Sequence, residues 1–361
     1  EEAKTLHRVL EIGKFASEDE INPDLLVTPI DANVVIIDEA SMIDLFLMNY
    51  LMQSVYQGSK LILVGDSDQL PSVGPGSVLQ DIIESGKITT IHLDKIFRQA
   101  AKSKIILNAH RVNKGETFLG KEDIETETNQ DFFYIKHNTQ EEILKEVISL
   151  CTGRLEKFGN YDFFQNMQIL TPTKKGPLGT RELNKTLQNY INPENKSKKE
   201  KKFGEITFRE GDRVMQIKNN YDIFWDREIL GVYENSTGVF NGEIGRIEKI
   251  DLSEKQLKVV FDDEKNVWYQ FQELDQLELA YAITIHKSQG SEFDVVIIAV
   301  PQTAPMLLTR NLLYTAITRA KKLLIILGGK NTIDFMIQNV DSKKRNTGLK
   351  IKVEHLLNGD N

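Results

Sequence analysis

The chain has 361 residues, of which 40% are hydrophobic and 27% charged, a composition typical of globular proteins. This length predicts two or three domains, and the lack of a long apolar run predicts no membrane span. The single cysteine, Cys151, rules out an intramolecular disulfide, and the N-terminus lacks the pattern of a signal peptide, so we expect a cytoplasmic protein. Because the net charge is −8, contacts with nucleic acid are expected only at local basic patches.

Short apolar runs alternate with helical patterns along most of the chain. The runs occupy residues 34–37, 61–64, 168–170, 295–300 and 323–327. Apolar runs of this length suit strands of a parallel sheet that is buried on both faces. The pattern is therefore that of an α/β protein.

The pattern changes between about residues 203 and 274, where segments of alternating polarity are joined by turn residues such as Asn241 and Gly242. Alternation of this kind predicts a small antiparallel barrel, for which we expect five strands. The side chains expected to point inward are those of Val214, Ile217, Ile244, Val259 and Trp268. The lysine-rich run 196–202, just before the barrel, is expected to be a solvated flexible loop.

Two adjacent carboxylates, Asp38 and Glu39, directly follow the apolar run 34–37. At the C-terminal edge of a parallel strand, one acid can hold Mg²⁺ while its neighbour orients an attacking water. Acidic residues are also common in the first turn of a helix, where they interact with its dipole. The pair alone does not decide between these two interpretations.

A second polar segment, residues 65–71 (GDSDQLP), follows the next apolar run. Gly65 permits a sharp turn, and parallel strands bring their C-terminal ends to one edge of a sheet. We therefore expect Asp66, Asp68 and Gln69 at the same edge as Asp38. There the amide of Gln69 can bond a γ-phosphate or the water beside it.

Six motifs occur in order, and together they resemble those of superfamily 1 helicases. They are residues 38–41 (DEAS), 65–71 (GDSDQLP), 97–99 (FRQ), 170–176 (LTPTKKG), 284–294 (TIHKSQGSEFD) and 314–321 (YTAITRAK). The third and fifth motifs and the inserted barrel are most similar to the RecD-like branch, and residues 3–10 resemble a segment of its first domain. The resemblance implies two RecA-like P-loop NTPase domains, the first incomplete, with an SH3-like β-barrel inserted in the second.

The implied domain limits are 1–94 for the first domain and 203–274 for the barrel, with 95–202 and 275–361 forming the second domain. The phosphate-binding pattern Gly-x-x-x-x-Gly-Lys-Ser/Thr is absent from the sequence, and residues 328–332 (GGKNT) lack its spacing. In the family this loop precedes the segment that begins here. We therefore expect residues 1–361 alone not to hydrolyse ATP.

The resemblance also implies an activity, that of an ATP-dependent DNA helicase. Such a motor uses ATP and Mg²⁺, moves 5′ to 3′ on single-stranded DNA and unwinds duplexes at junctions. Asp38 would hold Mg²⁺ and Glu39 would activate water, with Gln69 beside the γ-phosphate. Arg98 and Arg319 would be arginine fingers.

Two further groups of residues follow from the same resemblance. Gly290 and Glu292 would bind the nucleotide. The residues implied to contact DNA are Thr5, His7, Pro71, Val73, Thr171, Thr173, Lys174, Lys175, Thr284 and His286. Two alternatives stay open: the motor part of a conjugative relaxase, and a nucleic-acid-binding chain without catalysis.

Overall fold

The computed structural model describes residues 3–11, 28–93, 102–118, 130–302, 305–340, 345 and 347–358. The chain forms two compact units. Unit 1 comprises Glu1–Phe97 and Asp341–Asn361, and unit 2 comprises Arg98–Val340. The sequence division, which ended the first domain at residue 94 and placed residues 275–361 in the second domain, stays a prediction. None of the helices in the described part of the chain is long and apolar enough to cross a membrane.

The described secondary structure of unit 1 begins with three helices and two strands. These are α1 (Leu6–Val9), β1 (Val34–Ile37), α2 (Leu45–Ser54), β2 (Lys60–Leu63) and α3 (Val78–Ser85). The strands pair in parallel, with Val34 opposite Lys60. Val35, Ile37 and Leu51 belong to the core on one face of this sheet.

The other face of the unit 1 sheet is exposed. Ile36 exposes 64% of its surface and Ile62 exposes 44%. The prediction that both faces of these strands are buried is therefore wrong for the described part of unit 1. The physical reason is that the described helices of the unit pack on one face only.

Unit 2 contains the remaining strands and most of the helices. Its strands are β3 (Phe132–Lys136), β4 (Met167–Thr171), β5 (Glu200–Phe203), β6 (Ile206–Arg209), β7 (Arg213–Gln216), β8 (Asn220–Ile229), β9 (Val232–Val239), β10 (Ile244–Asp251), β11 (Gln256–Phe261), β12 (Asn266–Gln270), β13 (Leu277–Leu279), β14 (Ala282–Thr284), β15 (Phe293–Ala299) and β16 (Ala320–Gly328). Its helices are α4 (Lys104–Asn113), α5 (Gln140–Ser149), α6 (Leu155–Gly159), α7 (Phe163–Asn166), α8 (Thr180–Ile191), α9 (Arg310–Ile317) and α10 (Lys330–Gln338). The chain ends with α11 (Leu349–Asn358), which belongs to unit 1.

The main sheet of unit 2 is parallel, with the strand order β14-β4-β15-β16-β3. Its central strand β15 is apolar, and the side chains from Val295 to Ala299 are fully buried. This confirms the predicted burial of run 295–300. Helices α4, α5 and α9 all pack against β16, the neighbour of β15.

The barrel is inserted between α8 and β14, and its main sheet has seven strands rather than the five predicted. The difference arises because β8 and β9 form a long additional hairpin and β13 returns to pair with β7. Val214, Ile244 and Val259 are buried as predicted, and Ile217 is half-buried.

Trp268 lies on the outer face of the barrel, so the prediction that it points inward is wrong. It is 38% exposed, whereas its neighbour Tyr269 is buried and donates from its hydroxyl to Gln216 Oε1 at 2.9 Å. A shift of one residue in a strand moves a side chain to the other face of the sheet. Both residues are aromatic, and Tyr269 lies on the same face of β12 as the buried Val267.

The lysine-rich run is also structured, contrary to the prediction of a flexible loop. Its second half forms β5, which pairs with β6 in an antiparallel hairpin. Lys201 Nζ lies 4.5 Å from the centre of the Phe271 ring, and Lys198 Nζ donates to Asn192 Oδ1. Two of the five lysines in the run, Lys198 and Lys201, thus have side-chain partners within unit 2.

Candidate functional site

The predicted catalytic carboxylates lie in the turn that follows β1. Asp38 Oδ1 accepts a hydrogen bond from Glu39 N at 2.8 Å, and Glu39 adopts a left-handed backbone conformation with φ of 50°. This conformation is uncommon for a residue with a side chain. Ala40 N donates to Val64 O at 2.8 Å, which fixes the turn to the end of β2. Asp38 is exposed and Glu39 half-buried, so both carboxylates are accessible to a ligand.

The segment after β2 approaches this turn closely. A Cβ atom on Gly65 would lie 3.0 Å from Ala40 N, from Ser41 N and from Leu79 Cδ2. A glycine at this position lets the two segments pack together. The prediction that Asp38 and the segment 65–71 share one sheet edge is therefore confirmed.

Asp66 orients the side chain of Gln69 at this edge. Asp66 Oδ2 accepts from Gln69 Nε2 at 3.4 Å, while Asp66 Oδ1 accepts from Asp68 N at 2.9 Å. Asp66 thus spans the loop that carries Gln69. The sequence placed Asp66 at the edge but did not predict that it positions the glutamine.

The fit of this edge to Mg²⁺ depends on Asp38. Among the residues that the structure describes, no group of three His, Cys, Asp or Glu side chains could hold a metal ion. Mg²⁺ is commonly bound by one or two protein carboxylates together with water and substrate phosphates. The exposed carboxylate of Asp38 therefore fits a Mg²⁺ ion that arrives with a nucleotide, not one held by protein alone.

The other predicted residues of unit 1 occupy two places. Thr5 is the N-cap of α1 and accepts from Arg8 N at 3.4 Å, and His7 lies half-buried in the same short helix. Pro71 is half-buried, whereas Val73 is 89% exposed. Arg98 lies outside the described residues.

In unit 2, two predicted DNA contacts lie at the C-terminal ends of neighbouring strands. Thr171 ends β4 and Thr284 ends β14, and the two residues are partners in the parallel register. Thr171 is fully buried, and its hydroxyl donates to Leu178 O at 2.7 Å. The hydroxyl of Thr171 therefore fixes the loop that follows β4, and a ligand cannot reach this hydroxyl.

The loop between β4 and α8 presents its two lysines to solvent. Thr173 Oγ1 donates to Lys175 O at 2.9 Å, and Thr180 N donates to Thr173 O at 3.0 Å. A Cβ atom on Gly179 would lie 2.5 Å from Lys175 O, so this close turn requires glycine. Lys174 and Lys175 are both exposed at the surface of the fixed loop.

The turn after β14 adds a cation that the sequence did not single out, Lys287. Its Nζ lies 3.2 Å from Glu278 Oε2. Burial lowers the pKa of Lys287, the attraction of Glu278 opposes this change, and the positive charge of Lys174 adds to it. Lys287 directly follows His286 within the fifth motif, and this position is the sequence feature that could have identified it.

His286 itself lies at the surface of unit 2. Neighbouring protein atoms nevertheless displace part of the water around its imidazole, and this desolvation lowers its pKa. The neutral imidazole is therefore the dominant form at neutral pH.

The predicted nucleotide contacts of unit 2 come together at the N-terminal ends of β15 and β16. Phe293 N donates to Arg319 O at 2.8 Å, which ties the two strand starts together. Glu292 is exposed and pairs with Lys321 at 3.2 Å. Gly290 has φ of 75°, a left-handed conformation that favours glycine.

Arg319 is buried and hydrogen-bonded within unit 2. Its Nε donates to Thr315 O at 3.2 Å, and its Nη1 donates to Ser291 O at 3.2 Å. Only 4% of its surface is exposed. An arginine finger must reach a phosphoryl group, so Arg319 would have to exchange these partners before it could act as one.

The nucleotide and DNA residues of unit 2 lie at opposite ends of the same sheet. Residues 290–292 and Arg319 are at the N-terminal edge, whereas Thr171 and Thr284 are at the C-terminal edge. Strand β15 covers the separation, which is roughly 20 Å at about 3.3 Å per residue. The segment 285–292 joins the two ends.

Three sequence families match the chain in succession. Residues 1–136 match an AAA domain, residues 183–261 match the ATP-dependent RecD-like DNA helicase SH3 domain, and residues 279–327 match the UvrD-like helicase C-terminal domain. The second match agrees with the inserted barrel.

Curated relatives resemble nearly the whole chain. The ATP-dependent RecD2 DNA helicase of Deinococcus radiodurans is 33% identical over 321 residues, which cover 88% of this chain and 39% of that protein. The RecBCD enzyme subunit RecD of Mycobacterium tuberculosis is 29% identical over 375 residues, which cover 98% of this chain and 58% of that protein. The chain thus spans less than two thirds of the length of either relative.

A solved structure, the Pif1 helicase from Bacteroides in complex with ADP-AlF3 and ssDNA, has a similar fold. The TM-score is 0.52 at 19% identity, and the match covers 98% of this chain and 83% of that one. The fold is that of a superfamily 1 helicase, with two RecA-like domains and an SH3-like barrel inserted in the second. Within this class, the chain belongs to the RecD-like branch.

Proposed function

We propose that the chain is the motor part of an ATP-dependent DNA helicase that moves 5′ to 3′ along single-stranded DNA and opens duplexes at junctions. One observation supports this most strongly. In unit 1 the Asp38–Glu39 turn packs against the segment that carries Gln69, and this segment continues directly to the exposed Val73. One continuous stretch of chain, residues 65–73, therefore joins the nucleotide-type edge to the proposed DNA contact Val73.

On the nucleotide side, each side chain has a role that its surroundings support. Asp38 contributes one ligand to Mg²⁺, and Glu39 orients the attacking water. Gln69, held by Asp66, contacts the γ-phosphate or this water. Mg²⁺ supplies charge neutralisation at the phosphates when it is bound with ATP.

Unit 2 contributes the remaining nucleotide contacts in this proposal. Gly290 and Glu292 bind the nucleotide, and Arg98 and Arg319 stabilise charge on the transferring phosphoryl group. For Arg319 this role requires release from Ser291 O and Thr315 O. We expect nucleotide binding to favour this release.

On the DNA side, the exposed lysines Lys174 and Lys175 bind backbone phosphates, with Thr173 beside them. Thr171 and Thr284 hold the ends of their strands and so position this loop and His286. In unit 1, the candidate DNA contacts are Thr5, His7, Pro71 and Val73. Binding through phosphates makes the affinity depend on salt concentration.

The first test substitutes the proposed water-orienting residue in the natural full-length protein. Glu39→Gln should reduce ATP turnover about 100-fold or more and leave ATP binding largely intact, because orientation of water matters chiefly in the transition state. Steady-state turnover and equilibrium nucleotide binding measure the two effects. Glu205→Gln, at an exposed turn of the β5–β6 hairpin, is the matched control and should change neither. Near-normal turnover of Glu39→Gln would show that Glu39 does not orient the water.

The second test concerns DNA. ATP hydrolysis should be stimulated by single-stranded DNA, and duplexes with a 5′ tail should be unwound in preference to those with a 3′ tail. DNA binding without any hydrolysis would instead support a nucleic-acid-binding role. Preference for a 3′ tail would contradict the proposed direction.

A further inference from the structure

The C-terminal part of unit 1 packs on the elements that follow Gln69. Helix α11 contacts α3, and Lys350 Nζ lies 3.3 Å from Glu84 Oε2. Thr347 Oγ1 donates to the carboxylate of Asp81. We call Arg345 and residues 347–358 the C-terminal strap.

Arg345 binds the backbone of the loop 72–76 through several hydrogen bonds. Its Nη2 donates to Ser72 O at 2.6 Å, and its Nη1 donates to Gly76 O at 2.7 Å and also to Gly74 O. Nη1 further contacts Ser72 Oγ at 3.3 Å. A planar guanidinium presents its donors in a fixed fork, and charged donors form stronger hydrogen bonds than neutral ones. One side chain therefore fixes three carbonyl groups relative to one another.

The opposite side of the same loop packs on the start of α2. A Cβ atom on Gly74 would overlap the carboxylate of Asp44, and one on Gly76 would lie 2.5 Å from Leu45 Cγ. Leu45 N also donates to Pro75 O at 2.9 Å. The loop is thus held between α2 and the strap. Val73 lies within this loop, and its side chain is 89% exposed to solvent.

We propose that Arg345 is a positioning residue that couples the nucleotide side of unit 1 to its DNA side. This inference rests on the proposed function, in which Gln69 responds to the nucleotide and Val73 to DNA. The two residues belong to one short segment. Gln69 lies three residues before Ser72, and Val73 lies inside the loop whose carbonyls Arg345 fixes. A displacement that reaches Ser72 from Gln69 is then passed to Val73 and is not absorbed within the loop. Without Arg345 the loop absorbs the displacement, and hydrolysis no longer responds fully to DNA.

The structural part of the proposal is tested by hydrogen exchange in the natural full-length protein. In Arg345→Ala, the Leu45 amide, which donates to Pro75 O, should exchange about tenfold faster, equivalent to ~1.4 kcal/mol. The Val64 amide, which donates to Ile37 O at 2.8 Å, should be unchanged and so exclude general unfolding of unit 1. Lys350→Ala is the matched control in the strap, because its ion pair with Glu84 is exposed and should contribute little.

The functional part is tested by comparing hydrolysis with and without DNA. Arg345→Ala should keep the basal ATPase rate and the KM for ATP, while DNA-stimulated kcat falls about tenfold. Arg345→Lys should behave like Arg345→Ala, since an ammonium group keeps the charge but cannot span the carbonyls of Ser72 and Gly76 in one geometry. Full activity of Arg345→Lys would overturn the role given to the guanidinium fork.

The two readouts separate this inference from the proposed function. If the wild-type protein does not hydrolyse ATP, the proposed function fails, and with it the coupling role. Exchange at Leu45 still decides whether Arg345 holds the loop. Unchanged exchange at Leu45 in Arg345→Ala would overturn the strap itself. Faster exchange with unchanged DNA stimulation would overturn the coupling role alone.

Discussion

The parallel sheets of the two units differ greatly in how much apolar surface they bury. In unit 1, Ile36 of β1 is 64% exposed, whereas in unit 2 Ile297 of β15 is completely buried. Strand β15 lies between two other strands, and helices pack on its neighbour β16. The described helices of unit 1 leave one face of β1 and β2 uncovered.

The polar motif residues beside these strands also differ in burial between the two units. Asp38 in unit 1 is exposed, with one carboxylate oxygen bound to the next backbone amide. In unit 2, Thr171 and Arg319 are buried and donate to backbone carbonyls. Unit 1 thus presents reactive groups directly, whereas several motif residues of unit 2 first serve to hold its loops and strand ends.

The largest expected effect on stability comes from introducing a carboxylate into a central position of one strand in each sheet. Ile297→Asp places an unpaired charge in the core and should destabilise unit 2 by ~4 kcal/mol or more. Ile36→Asp places the same group on an exposed face and should lower stability by about 1 kcal/mol. Urea denaturation of both variants measures the difference. Equal losses would mean that the exposed face of β1 is covered in solution.

A smaller effect distinguishes two threonines of the β4–α8 loop. Thr171→Val removes the buried donor to Leu178 O and should lower stability by ~1–3 kcal/mol, with several-fold weaker binding of single-stranded DNA. Thr173→Val removes a more exposed bond and should lower stability by about 0.5 kcal/mol. Thermal unfolding and fluorescence anisotropy measure the two properties. A larger loss of stability in Thr173→Val would reverse the roles assigned to these residues.

The smallest effect concerns the pH dependence of unit 2. Desolvation lowers the pKa of His286 below its ordinary value of 6.5, so the unfolded chain takes up this proton at a higher pH than the folded chain does. Stability should therefore fall slightly as the pH drops below this value and stay constant above it. Thermal unfolding at several pH values should show a weaker acid dependence in His286→Asn. Identical pH profiles for the variant and wild type would contradict the lowered pKa.

The sequence was most informative where a local pattern fixes position. Asp38 and Gly65 each follow an apolar run, and adjacent parallel strands bring such ends together, so their shared edge was predictable. Burial of β15 was predictable for the same local reason. The exposed face of β1 was not, since burial depends on elements that pack from elsewhere in the chain.

Other features depend on contacts that no local pattern encodes. Trp268 and Tyr269 are aromatic neighbours in one strand, and Tyr269 faces inward on the side of Val267, where its hydroxyl reaches Gln216, 53 residues away along the chain. Arg345 lies 273 residues from Ser72 along the chain and belongs to no motif. The internal hydrogen bonds of Arg319 were equally hidden, because a motif names a residue type and not its resting partners.

The continuity of the core through unit 2 has a consequence for how the barrel can move or be exchanged. One apolar cluster runs from Ile169 of the main sheet to Val259 of the barrel. The barrel residue Asp212 accepts from Gln188 of α8 at 2.6 Å and from the hydroxyl of Tyr281 at 2.8 Å. We therefore expect the sheet and the barrel to unfold as one cooperative unit. A chimera that received a foreign barrel in place of residues 200–279 would leave Gln188 and Tyr281 without their carboxylate, so a working graft must bring α8 and the residues before β14 with it.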